Sequence, residues 1–313
     1  MKHSGILQHN TFTMLSTKHL VFLEVARQLS FTKASEVLFL SQPAISKNIQ
    51  SLENDYKAKL FERKGYKIEL TPIGTLLYEK LLEVKNIQDQ TDFEISFIKN
   101  KLQAKGILKL GASTTVALYI LPKILSAFHK QYPHVEISLL NRNSEIVLQA
   151  LIEQNINIGI IEGPPKTKKV EFLPFITDDV IAICSSKSYL AKKKNYTLKE
   201  IPNIPIVLRE KGSGTLEALA ESLKKVKLKL QDLNVKVRLG GTEALKNFLL
   251  EADCLGFLPR ISISKELMNG DLTEINIEGI SIQRKFYFIQ RKSEPVGELN
   301  KSFVKFAKMM YNQ

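Results

Sequence analysis

Cysteine is almost missing from this 313-residue chain, which has only Cys184 and Cys254, each inside an apolar stretch and neither with a partner at metal-ligand spacing. That scarcity excludes a disulfide-stapled secreted fold and a thiolate metal centre, and makes both residues small core hydrophobes in a reducing compartment. Histidine is as sparse: His3, His9, His19, His129 and His134 give no metal-ligand spacing, and the chain has neither a G-x-S-x-G elbow nor a phosphate-binding loop. Asp178 and Asp179 abut a strand with no evident partner, so a small-metabolite enzyme, one alternative, lacks a nucleophile or a base to work with. No apolar run approaches the length that spans a bilayer, and residues 1–14 are polar where a signal peptide would be apolar. A periplasmic-type solute-binding protein, the other alternative, would need such a signal. The expected location is cytoplasmic, with no membrane partner; residues 1–14 are expected to be a disordered extension, and Met14 is a second candidate start that would leave the first thirteen residues outside the protein.

What is present is enough apolar side chain, 44%, for two or three buried cores, and an excess of cations, Lys+Arg 45 against Asp+Glu 32, for a formal charge of +13. Such a field attracts polyanions, nucleic acid among them, although lysine-rich solubility produces the same number. The location of the charge argues against reading it alone: residues 14–72 carry nine Lys/Arg against six acids, a net of only +3. Runs such as Lys192-Lys193-Lys194 and the lysines of 224–229 supply much of the rest and read as solvated faces.

Phe22, Val25, Ala26 and Leu29 recur at helical spacing, so residues 17–29 form an amphipathic helix in need of a partner. Ser30 or Thr32 caps a second short helix that turns Ala34, Val37 and Leu38 inward, and Phe39-Leu40 connect it tightly to Ser41. Ser41 is a natural N-cap and Pro43 sits in the first turn of a third helix, reaching about Tyr56, whose inner stripe is Ile45, Ile49, Leu52 and Tyr56. Gln42, Pro43, Ser46, Lys47 and Gln50 lie on its other side. They are short or polar enough to enter a DNA major groove, though a plain solvent face would look alike. Residues 60–63, a Lys64-Gly65-Tyr66 turn and residues 67–70 then predict a two-stranded wing, with Arg63, Lys64 and Lys67 as contacts to phosphate.

Thr71-Pro72 starts a further helix, whose Leu77, Leu81, Val84, Ile95, Ile98 and Leu102 follow a broken heptad. This seam suits pairing of two copies, although packing on its own domain would use the same residues. Beyond Gly106, short apolar strands alternate with helices, predicting parallel sheets near 107–110, 135–140, 158–161, 180–184, 204–208, 235–239, 256–258 and 285–289. Gly111-Ala112-Ser113-Thr114-Thr115 and Gly212-Ser213-Gly214-Thr215 each join a strand to a helix. They offer backbone N–H groups, hydroxyls and the positive end of a helix; facing each other they would hold a small anion, taken singly they would simply cap and turn the chain.

Residues 30–74 closely resemble the helix-turn-helix and wing of LysR-type transcriptional regulators, through Gln42-Pro43-Ala44, Ser46, Leu52-Glu53, Leu60-Phe61-Glu62-Arg63 and Leu70-Thr71-Pro72-Ile73-Gly74. The segments GASTTVALYILPKILSAFHKQYP, NRNSEIVLQALIEQNINIGIIEG, LREKGSGT and GGTEALKNFLLEADCLGFLPR are similar to that family's two sensor subdomains, nearest the branch that controls sulfur assimilation or carbon fixation. The resemblance covers nearly the whole chain from Met14. It implies an all-α winged helix-turn-helix over 15–72, a linker and dimerisation helix over 73–104, and an α/β sensor of two subdomains like a periplasmic-binding-protein fold. Subdomain 1 would comprise 105–178 and 284–313, and subdomain 2 would comprise 179–283, with crossings near 177–179 and 283–285 and a last helix, 299–311, packed back on subdomain 1.

By the same resemblance residues 41–51 are the recognition helix, and Ser30, Thr32, Ser41, Gln42, Pro43, Ala44, Ser46, Lys47, Gln50, Arg63, Lys64 and Lys67 contact double-stranded DNA. Ser113, Thr114, Thr115, Asn143, Ser213 and Thr215 line an effector pocket, with Arg209 and Lys211 adding charge at its rim. The effector is a small anion, a sulfur oxyanion, carboxylate or phosphate, rather than a resident cofactor. Closure on it would change how dimers pack into a tetramer and move the DNA-binding heads, and RNA polymerase is a further candidate partner. One departure stands out: Lys57 occupies the position after the recognition helix where the family usually has glycine, so strain or a different helix end is expected there.

Overall fold

The computed structural model describes residues 13–65, 67–100, 103–165, 167–292 and 296–311. The extension up to residue 12, Tyr66 of the wing turn and Leu102 of the heptad lie outside these. The chain divides into two compact units, Met1–Ile95 and Ser96–Gln313.

In the first unit α1 (Thr17–Gln28), α2 (Phe31–Leu38) and α3 (Gln42–Tyr56) pack around Phe22, Val25, Ala34, Leu38, Ile45, Ile49 and Leu52, all buried. Ser30, not Thr32, caps α2, its hydroxyl accepting the Lys33 N–H at 3.3 Å, and Ser41 caps α3 through the Ala44 N–H. Three expected core positions face out, the first being Leu29, which ends α1 in a left-handed conformation, φ 46°, and so leaves the helix's buried face. Val37 is exposed because the two-turn α2 buries only the i, i+4 pair Ala34 and Leu38; Tyr56 is exposed because the last turn of α3 outruns the core, leaving its ring edge-on to His19. Lys57 keeps the left-handed conformation that glycine would favour, φ 51°, with its N–H on the carbonyls of Asn54 and Glu53, so the helix ends in the ordinary way and the lysine carries the strain.

The wing is an antiparallel ribbon of β1 (Phe61–Lys64) and β2 (Lys67–Leu70), in which Lys64 is the last paired residue and faces Lys67, rather than part of the turn. Thr71 then caps α4 (Pro72–Lys99), accepting the Gly74 N–H at 2.9 Å. Leu77, Leu81 and Val84 pack into the core of their own domain, so the first half of the expected seam is spent there. The apolar residues that α4 leaves exposed are Ile73, Leu76, Ile87, Ile95 and Ile98, which fall within about 100° of one another at 100° per residue.

In the second unit β3 (Gly106–Ala112) leads through a π-helical turn at Val116–Ile120 into α5 (Leu121–Gln131). There follow β4 (Val135–Asn141), α6 (Ser144–Ile152), β5 (Ile158–Glu162), β6 (Val170–Ser185), β7 (Asn195–Tyr196), β8 (Ile206–Arg209), α7 (Gly214–Lys225) and β9 (Val235–Leu239). The chain continues through α8 (Thr242–Glu251), β10 (Leu255–Pro259), α9 (Ser264–Asn269), β11 (Leu272–Ile277), β12 (Ile282–Arg291) and α10 (Glu298–Tyr311). Two parallel sets, β4-β3-β5 and β10-β8-β9, are joined by the antiparallel pair β12 and β6, so the sheet is mixed rather than purely parallel. Both strands serve both halves, and Thr177↔Lys285, Asp178↔Arg284 and Asp179↔Gln283 mark the double crossing. The last helix returns to the first half, where the Phe303 ring meets Phe128 edge-on at 5.4 Å.

Candidate DNA interface and effector cleft

In the first unit, the start of α2, the outer face of α3 and the wing surround one open groove of about 560 Å³. Ser30 and Thr32 from α2, Gln42, Ser46 and Gln50 from α3, and Arg63 from β1 line it. The three α3 side chains are exposed, while Ile45, buried in the core, and Ile49, buried at the edge of the groove, hold the helix to the rest of the domain. A helix so presented, with polar side chains of modest length, meets the requirement for entering a major groove. Ser41, Pro43, Lys47, Lys64 and Lys67 are exposed outside the groove lining, and Ala44 is half-buried.

The wing's position depends on a residue that sequence reasoning noted only as part of a motif. Glu53, buried in the last turns of α3, accepts the Leu60 N–H through Oε1 at 2.9 Å and pairs with Lys59 through Oε2 at 2.7 Å. Lys64 lies between two acids of the wing, 2.7 Å from Glu69 and 3.7 Å from Glu62. The hydrogen bond to Glu69, helped by both charges, raises its pKa, so it stays protonated.

In the second unit the two predicted loops face each other across the crossing. Ser113, Thr115, Ser213 and Thr215 are buried, Thr114 half-buried, and Asn143 caps α6 by accepting the Ile146 N–H at 3.0 Å. The approach is close: a side chain at Gly212 would run into Glu145 and Asn143, and one at Gly214 would collide with the Glu162 carboxylate. Arg284, buried on β12, stands at the centre. Its Nη1 donates to Thr215 at 2.9 Å and pairs with Glu162 at 2.7 Å; its Nη2 donates to Thr115 at 3.1 Å and to Asp178 at 2.7 Å, and its Nε to Asp178 at 3.1 Å. The Phe286 ring lies under the guanidinium, 4.7 Å away.

Arg209 is not a rim charge. It is buried, with Nε and Nη2 on Glu210 at 2.8 and 3.0 Å and Nη1 on Thr242 at 2.9 Å; Lys211 is exposed. Burial raises the Glu210 pKa, but the hydrogen bond and charge of Arg209 outweigh it and lower the pKa overall. Sequence reasoning named neither Glu162 nor Arg284 as site residues. The available signal was a carboxylate closing an otherwise apolar strand, in Ile158–Glu162; Arg284 stands beside Gln283 and Lys285 in Ile282–Arg291, where nothing local singles it out. Tyr119 adds a second link across the cleft by donating to Glu243 at the start of α8.

Two family models match. Residues 18–75 fit the bacterial regulatory helix-turn-helix protein, lysR family, and residues 101–311 the LysR substrate binding domain. The chain belongs to the LysR family. The HTH-type transcriptional activator CmpR of Synechocystis sp. is 30% identical over 91% of this chain and 92% of its own length. The HTH-type transcriptional regulator CysL of Bacillus subtilis is 30% identical over 86% of this chain and 88% of its own. The solved regulatory domain of Synechocystis CcmR in complex with 2-PG superposes with a TM-score of 0.60 at 24% identity, covering 66% of this chain and 97% of that one. As a LysR family member the chain is a DNA-binding transcriptional regulator with an effector domain, and not an enzyme. No helix among the described residues is long and apolar enough to cross a membrane.

Proposed function

We propose that this regulator reads base edges of double-stranded DNA with Gln42, Ser46 and Gln50, steadies itself on phosphate with Arg63, Lys64 and Lys67, and answers to a small anion held between its sensor subdomains. The observation that carries the DNA assignment is the convergence of side chains from α2, α3 and β1 on one exposed groove. Self-association uses the exposed apolar stripe of α4, because one recognition helix reads only a few base pairs while a pair reads two half-sites. The protein works in the cytoplasm, where RNA polymerase is its further partner at the promoter.

The anion assignment is supported by the Thr115 and Thr215 hydroxyls that meet at a buried guanidinium, by Ser113 and Ser213 buried in the same two loops, and by the 2-PG in the CcmR regulatory domain. Sulfur oxyanions, carboxylates and phosphates share the chemistry that such a site recognises. Genome-wide mapping of bound DNA tests the first half: discrete sites with a two-fold repeat are expected, and uniform coverage would contradict it. Calorimetry and small-angle scattering with these anions test the second, with binding and a change of shape expected; the absence of both would remove the sensing role.

A further inference from the structure

The inner cluster of the cleft poses a charge problem for an anionic ligand. One guanidinium, Arg284, is held by two carboxylates, Glu162 and Asp178, and the other direct partners, Thr115 and Thr215, are neutral. The cluster therefore carries a net −1 when all three groups are ionised, and an arriving anion would be repelled from the one cation it needs. The two carboxylates are not equivalent. Asp178 is fixed by its register with Arg284 across the double crossing and receives two of its donors. Glu162 uses only Oε1; its Oε2 is buried without a hydrogen-bond partner and lies against Gly214, in the first turn of the 12-residue α7. The hydroxyl of Ser113, buried at the start of the opposite loop, also has no partner.

Glu162 thus places a negative charge on a buried guanidinium and at the positive end of a helix, the two features that would attract a ligand anion. We propose that the Glu162 carboxylate is a tethered stand-in for the effector, and that the effector binds Arg284 by displacing it. This rests on the anionic-effector reading above. Glu162 is the last residue of β5 and is followed by Gly163 with φ 74°, so the chain leaves the sheet directly after it, and the exchange requires its side chain to rotate away from Arg284. The exchange also sets the ligand class. A monocarboxylate offers the same two oxygens as Glu162 itself, whereas a tetrahedral oxyanion, a phosphate or sulfate, has oxygens left over from Arg284 for the Ser113 hydroxyl. The tether keeps occupancy low until such an anion is abundant, and links effector arrival to loss of the Glu162–Gly214 contact between the two halves.

The test uses the full-length protein and the variants Glu162→Gln and Glu162→Ala, titrated calorimetrically with inorganic phosphate, sulfate and acetate at ionic strength held constant with potassium chloride. Thermal unfolding midpoints are followed in parallel, because Glu162→Ala is the variant more at risk of misfolding. Both variants should bind phosphate and sulfate about tenfold or more tighter than the parent, with acetate gaining least. The gain should vanish in the Glu162→Gln/Arg284→Gln double variant; its persistence would place the anion elsewhere, for example on the DNA-binding head, and overturn the proposal. If the parent binds phosphate or sulfate and Glu162→Gln binds no more tightly, the stand-in role is wrong while the effector reading survives. If no form binds any of the three anions, both readings fall together.

Discussion

The carboxylate of Glu53 accepts the main-chain N–H of Leu60 at 2.9 Å, tying the end of α3 to the first residue before the wing. Leu60 is fully buried, so truncation of Glu53 leaves its amide donor without a partner and without water. Glu53→Ala should lower stability by about 1–3 kcal/mol. Lys59, the other partner, is 77% exposed, and Lys59→Ala should cost less than about 1 kcal/mol. Chemical denaturation of the three proteins checks the contrast; equal losses would mean that the ion pair, not the amide, matters.

Two backbone positions near the wing should respond in opposite directions to small changes. At Lys57 the left-handed φ of 51° suits glycine, and Lys57→Gly should stabilise by about 1 kcal/mol. Gly74 lies inside the first turn of α4, where alanine is ordinarily the better residue, yet a Cβ there would overlap the Leu60 carbonyl oxygen. Gly74→Ala should therefore destabilise, and thermal unfolding of the two variants measures both signs.

The thiol chemistry should be silent. Burial, with the nearby Asp253 adding to it, pushes the Cys184 pKa up to about 11, and burial likewise raises that of Cys254. Thiolate is the reactive form, so at pH 8 neither should be alkylated by iodoacetamide until the protein unfolds. Mass spectrometry across a denaturant series would show modification tracking unfolding; prompt labelling of the native protein would contradict the burial.

Much of this was legible in the sequence where side-chain periodicity and local chemistry agree. The caps at Ser41 and Thr71, the inner stripe of Ile45, Ile49 and Leu52, and the three main helices of the head required only propensity and spacing. The parts that were not legible depend on distant packing. Helical phase puts Tyr56 with Ile45, but only the extent of the core decides that Tyr56 is solvated. Val170–Ser185 reads as a strand only near its end, because Pro174 and the exposed Glu171, Phe172 and Leu173 hide the crossing strand that pairs with Ile282–Arg291. Arg284 meets Glu162 and Asp178 across more than a hundred residues, a relation that no local pattern carries.

The α4 stripe gives a prediction about assembly. Ile87 and Ile95 are exposed on the face shared with Ile73, Leu76 and Ile98, so placing a charge there disturbs no interior. Ile87→Glu and Ile95→Glu should shift the protein toward monomer in sedimentation analysis while leaving its far-ultraviolet circular dichroism unchanged. An unaltered sedimentation coefficient would move the self-association surface off this helix.

The central claim is that the exposed face of α3 selects sequence while the wing only adds affinity. Selection of bound duplexes from a random-sequence pool by the parent, Gln50→Ala and Lys64→Ala tests it most directly. The parent should yield one two-fold motif, Gln50→Ala the same motif relaxed at one position of each half-site, and Lys64→Ala an unchanged motif with uniformly weaker binding and a salt slope smaller by about one. Identical effects of the two substitutions, or a parent pool without sequence preference, would contradict the account.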